Sequence, residues 1–123
     1  MMWVAVAAGG ALGSVARHAV NVAVHRMTGT VGFAAVAIVN ISGCLAIGVL
    51  AGLIAAGRWH PSQTLRAFLI VGVLGGFTTF SSFGLDVFTL VREGRHLAAA
   101  LNVLAQVTLG LTAVFLGYAL AVK

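Results

Sequence analysis

The sequence predicts an all-α membrane protein built on four transmembrane helices, the third of them broken. Three observations predict it. The chain of 123 residues is 61% hydrophobic and only 7% charged, with a mean hydropathy of +1.12, whereas soluble domains carry about 25% charged residues. Its apolar residues fall into four long blocks, each exceeding the roughly 20 residues needed to cross about 30 Å of hydrocarbon. The third block contains Gly75-Gly76-Phe77-Thr78-Thr79-Phe80-Ser81-Ser82-Phe83, which sets helix-weakening and hydroxyl-bearing residues at bilayer depth.

The first block, Trp3 to Val24, has no basic start and is longer than a signal-peptide core, so it is expected to stay in the membrane. Blocks two to four run from Val31 to Ala56, Leu65 to Val91 and Leu97 to Val122. The connections, His25 to Thr30, Gly57 to Thr64 and Arg92 to His96, are short, so consecutive helices must run antiparallel. Residues 1–123 are therefore expected to form one four-helix transmembrane domain.

In hydrocarbon every backbone N–H and C=O requires a partner, so the third block cannot present a glycine pair and four hydroxyls to lipid. A break near Gly75 and Gly76 would leave unpaired carbonyls ending one half-helix and unpaired N–H groups opening the next. The carbonyl end suits a cation such as sodium, and the N–H end near Thr79 suits an anion. The hydroxyls of Thr79, Ser81 and Ser82 add rotatable donors. Phe80 and Phe83 are three apart on one face, and their ring edges carry partial positive charge. The alternative for these residues is a helix kink with ordinary core packing.

Other polar residues at depth fall into two lines of helical spacing: Asn40 with Gly43 and Cys44, and Asn102 with Gln106 and Gly110. They either bond across helices or line a polar route. Arg17 lies in register with Gly13 and Gly9, and either snorkels to the surface or sits at a vestibule attracting anions. Asp86, three residues past Phe83, is placed to accept from a hydroxyl or cap a partner. The pairs Gly9/Gly13, Gly48/Gly52 and Gly72/Gly76 have the spacing for close helix approach, within one chain or between two.

Lysine and arginine are divided almost evenly between the two sides. Arg58, Arg66 and Lys123 lie on one, and Arg26, Arg92 and Arg95, with Arg17, on the other. Orientation follows an excess of such residues on the cytoplasmic side, so neither direction is favoured. Two copies inserted oppositely could pair about a two-fold axis in the membrane plane, giving an antiparallel dual-topology homodimer. The basic residues flank helices rather than forming a patch, which points to lipid headgroups and away from nucleic acid. A single cysteine excludes an internal disulfide, the four histidines lack metal-site spacing, and no nucleophile–base pair or cofactor fingerprint occurs. No enzymatic activity is expected.

These residues resemble the Fluc fluoride ion channels, also called the CrcB family, across nearly the whole chain. The most specific piece is GGFTTFSSF at 75–83, with GGALGSVAR at 9–17 and VNISG at 39–43 as weaker ones. The resemblance implies an antiparallel homodimer with two pores that exports fluoride passively across a prokaryotic cell membrane. It implies that carbonyls of Gly75 and Thr78 from both copies hold a structural sodium ion, that Phe80 and Phe83 contact fluoride, and that Asn40, Ser81 and Ser82 line its route. Asn102 and Gln106 complete that route where family members often carry Tyr and Ser. Two alternatives are a small multidrug exporter, which needs a carboxylate in the first helix that this chain lacks, and a non-transporting subunit of a larger membrane assembly.

Overall fold

The computed structural model describes residues 1–29 and 33–123; Val31, the predicted start of the second block, and Thr30 lie outside them. Helix α1 is Met2–Thr28, running four residues past the end of its apolar block, so His25 and Arg26 lie in its last turn. Basic residues there complement the negative end of the helix dipole. Gly29 closes it at φ 69°, sending its N–H to His25 O, a conformation that glycine adopts without steric cost. Helix α2 is Phe33–Ala55. The third span begins where the Ser62 hydroxyl accepts the Leu65 N–H at 3.2 Å. Its first half, α3, runs through Gln63–Arg66, the wider π-helical turns Ala67–Leu74, and Gly75–Phe77. After Thr78 and Thr79, α4 follows as Phe80–Arg92 and α5 as His96–Val122.

The stretches Phe33–Ala55, Gln63–Arg92 and His96–Val122 are each long and apolar enough to cross a membrane, making this a multi-pass helical protein. Helix α1 has the length to join them, but Arg17, His18 and its glycines lower its hydropathy.

Packing is by backbone rather than by large side chains. Val39 is the one large side chain fully buried among the described residues, while Trp3, Leu97 and Phe115 are widely exposed. In water such a surface would aggregate; in hydrocarbon it is the solvated face. The interior is lined by glycine and alanine. Helix α1 lies along α3, where Gly72 and Gly9 approach so closely that a Cβ on Gly72 would sit 2.9 Å from Gly9 Cα. Helix α2 packs along α5, where a Cβ on Gly52 would sit 2.7 Å from Tyr118 O and one on Gly117 2.9 Å from Val49 N. The three spaced glycine pairs are therefore used within the chain.

Gly76 shows what this costs to disturb. A Cβ there would fall 2.5 Å from Gly10 O and 3.0 Å from Gly10 Cα, and main chain cannot yield as a side chain can. Gly76→Val is expected to push α1 from α3 and destabilise the protein by about 1–3 kcal/mol, read as a lower Tm in detergent. Gly84→Ala, inside a helix with nothing within 4 Å of its Cβ position, is the control and should hold or raise Tm.

Candidate functional site

Thr78 and Thr79 lie halfway along the span Gln63–Arg92 and are extended, at φ −77°, ψ 156° and φ −152°, ψ 120°. The break therefore falls three residues later than the expected Gly75–Gly76, which is helical, with Gly75 at φ −64°, ψ −35°. The physical reason is that Gly76 serves helix contact, pressing on Gly10, while Gly75 keeps helical dihedrals. A different residue stabilises the break.

That residue is Asn40 on α2. Its Oδ1 accepts the Thr79 N–H at 2.8 Å and its Nδ2 donates to the Thr79 carbonyl at 3.0 Å. One side-chain amide thus satisfies both polar groups of an extended residue, as a neighbouring strand would. The Thr78 hydroxyl bonds back to Leu74 O at 2.9 Å, and the Thr78 N–H also reaches Leu74 O at 2.9 Å, closing the first half-helix. Gly43, three residues after Asn40, makes room: a Cβ there would overlap the Thr78 methyl.

The second half-helix opens on Thr79 as its N-cap, the hydroxyl accepting the Ser82 N–H at 3.2 Å. Ser82 Oγ lies 3.1 Å and Ser81 Oγ 3.3 Å from the same oxygen, so the three hydroxyls form one cluster at a helix N-terminus. Phe80 and Phe83 stand beside it, ring centroids 5.5 Å apart and tilted by 49°.

Capping has a second effect on the main chain. The Thr79 N–H would complete a helical bond to the Gly75 carbonyl, and the Ser82 N–H one to the Thr78 carbonyl. The first goes to Asn40 and the second to the Thr79 hydroxyl. The carbonyls of Gly75 and Thr78, both on the groove described next, thus lose their usual donors and fit the hard oxygen ligands an alkali cation takes. No group of three or more histidine, cysteine or carboxylate side chains suited to a metal occurs among the described residues.

An open groove of about 410 Å3 runs past the break. Its lining includes the polar and small residues Asn40, Gly43, Cys44, Thr78, Thr79 and Gln106, the rings of Phe80 and Phe83, and the aliphatic Ile47, Ile70 and Leu74. Phe80 is 84% exposed, so the groove is unsealed on that flank. Gln106 reaches it from α5: its Oε1 accepts the second Asn40 Nδ2 hydrogen at 2.8 Å, while its Nε2 donates to Asn102 Oδ1 at 2.9 Å. Both are buried, at 8% and 6% exposure. Asn102 stands behind Gln106 and away from the groove wall.

The sequence-predicted residues thus divide into two groups. Asn40, Gly75, Thr78, Phe80, Phe83 and Gln106 meet at the groove, with Ser81 and Ser82 joined through Thr79 and Asn102 through Gln106. Arg17 is elsewhere, half-buried on α1 and not on this groove. Asp86 lines a separate cavity of about 430 Å3 with Asn21, His25 and Arg95, and its buried Oδ2 accepts from no hydroxyl. What sequence reasoning missed is the pairing of Asn40 with the Thr79 main chain. Spacing along one helix carries no signal for a contact between residues 39 apart.

The CrcB-like protein family (Camphor Resistance, CrcB) matches residues 4–118. The chain belongs to this family. Among its relatives, the fluoride-specific ion channel FluC of Rhodospirillum centenum is 53% identical over 119 residues, covering 97% of this chain and 94% of that protein. Fluoride-specific ion channel FluC 1 of Nitrobacter hamburgensis is 46% identical, covering 95% and 94%. FluC of Solibacter usitatus is 42% identical over 121 residues, 98% of each chain. The family match therefore runs from α1 into α5 and includes both halves of the third span.

Proposed function

We propose that the protein is a fluoride-selective channel that lets fluoride leave the cell passively, assembled from two oppositely inserted copies in which α1 also spans the membrane. The observation that carries the reading is the capped mid-membrane break at Thr78 and Thr79, which opens a helix N-terminus onto a groove flanked by Asn40, Phe80 and Phe83. Helix N-termini attract anions, hydroxyls replace part of a hydration shell, and aromatic edges add weak positive charge without trapping the ion. The family relatives named for fluoride supply the ion.

Hydrogen fluoride crosses membranes as a neutral molecule and ionises in the less acidic cytoplasm, where the anion is trapped. A selective leak is sufficient for escape, since a negative-inside potential favours outward movement of an anion by about 2.3 kcal/mol per 100 mV. Export is transport rather than catalysis.

A single copy leaves Phe80 uncovered and the groove open along that side. An inverted second copy would close it and bring a second pair of Gly75 and Thr78 carbonyls to the first. Four such oxygens would suit a structural sodium ion, which would neutralise the converging carbonyl dipoles and hold the two breaks together. Fluoride would pass on either flank, along Asn40, Phe80, the Ser81–Ser82 pair, Phe83 and Gln106, with Arg17 drawing anions to the entrance.

Purified protein in potassium-loaded liposomes tests this directly. On opening the potential with a potassium ionophore, fluoride is expected to leave and chloride to stay. Liposomes that release neither ion would refute the channel, and equal release of both would refute its selectivity.

A further inference from the structure

We propose that Gln106 is a direct ligand for the permeating fluoride, brought to it when two buried amides turn over together; the inference rests on the channel reading above. The orientation of Asn40 is set by main chain. Because its Oδ1 takes the Thr79 N–H, its Nδ2 faces the Thr79 carbonyl. The other Nδ2 hydrogen is held by Gln106 Oε1 at 2.8 Å. An amide nitrogen has two hydrogens, and both are engaged. Asn40 therefore lines the groove with no donor free for an anion.

The far end of the chain of amides shows how a donor is released. Gln106 Nε2 donates to Asn102 Oδ1, and Asn102 Nδ2 is buried with no acceptor. A buried orphan donor is rare in native proteins and calls for an explanation. Turning both amides over gives it an acceptor: Asn102 Nδ2 donates to Gln106 Oε1, and the bond between α5 residues is kept. Gln106 Nε2 then faces Asn40 Nδ2.

Two donors facing one another repel unless an acceptor lies between them. A fluoride ion in the groove is that acceptor, taking one N–H from Asn40 and one from Gln106. Without the ion the observed orientation is restored, since it alone joins Gln106 to Asn40. The number of bonds between Gln106 and Asn102 is the same either way, so the anion decides the state. Bonds to an ionised acceptor are the stronger kind, and fluoride, the smallest and strongest acceptor among the halides, gains most from two converging donors.

The chain contains two glutamines, Gln63 and Gln106, so isotope labelling of glutamine side-chain nitrogen gives two amide groups by NMR on the full chain in detergent. Gln106→Glu deletes one signal and so assigns it. Titration with sodium fluoride is expected to move the Gln106 signals saturably and leave exposed Gln63 in place, while sodium chloride moves neither. Asn102→Asp, whose carboxylate only accepts, should hold Gln106 as observed, abolish the shift and slow fluoride efflux by about tenfold or more. Gln106 signals that stay put in unmodified protein that does transport fluoride would overturn the switch and leave the channel standing. An Asn102→Asp protein that keeps both shift and flux would also overturn it. Protein that moves no fluoride would overturn both readings. The titration of the unmodified protein is decisive even where a variant at position 102 fails to fold.

Discussion

Asn40→Leu is expected to abolish fluoride efflux and to destabilise the protein more than any other single change at the groove. Leucine fills a similar volume but supplies neither the acceptor for the Thr79 N–H nor the donor for its carbonyl, both of which Asn40 holds within 3.0 Å. A fully buried polar group left without a partner costs about 1–3 kcal/mol; the two here are part-buried on an open groove, so together they cost about 2 kcal/mol, the low end of that range for each. The Gln106 carbonyl loses its donor as well. The third span then has a cheaper alternative, to close the break by returning the Thr79 N–H to the Gly75 carbonyl, which removes the half-helix N-terminus. Asn40→Asp separates the effects. It keeps the acceptor for Thr79 N–H but sets a carboxylate against the Thr79 and Gln106 oxygens, so flux should fall while the Thr79 N–H keeps its bond. Liposome efflux with a fluoride electrode and thermal unfolding in detergent measure the two quantities. Full efflux by Asn40→Leu would show that the amide is dispensable to the path.

Phe80→Ile is expected to cut fluoride efflux by about tenfold or more with assembly and Tm nearly unchanged. The contrast with Asn40 follows from burial. Phe80 is 84% exposed in the single chain and touches Phe83 through one tilted ring contact at 5.5 Å, so its removal leaves no cavity in the four-helix unit. Isoleucine retains the apolar bulk but has no ring, and so no edge of partial positive charge to meet an anion. Size-exclusion elution at the position of the unmodified protein, together with slow efflux, would place the ring on the route. Undiminished flux would remove it.

Much of this architecture is legible in the chain because its signals are local. The apolar blocks end within a few residues of the helices, and the longer α1 reflects only that basic residues extend a helix beyond hydrocarbon. Helical spacing also placed Gly43 and Cys44 beside Asn40, and Gln106 in register with Asn102. The position of the break was not legible in the same way. Glycine weakens a helix and also lets another approach, and the two uses look alike in sequence. Gly76 serves the second because Gly10 lies against it; Thr78 and Thr79 open because Asn40 lies against Thr79. Both facts belong to neighbouring helices. The π-helical turns over Ala67–Leu74 left no compositional trace for a similar reason, since an apolar run reads the same in either winding.

The amide clasp on Thr79 sets an order of assembly. Alone in lipid, the third span has no partner for an opened main chain and is cheapest as an uninterrupted rod. It can yield only after the second span, made earlier on the ribosome, presents its asparagine. Maturation of the groove is therefore a docking event between neighbours already in the bilayer, and a lesion in α2 would stall it downstream, in a segment whose own residues are intact.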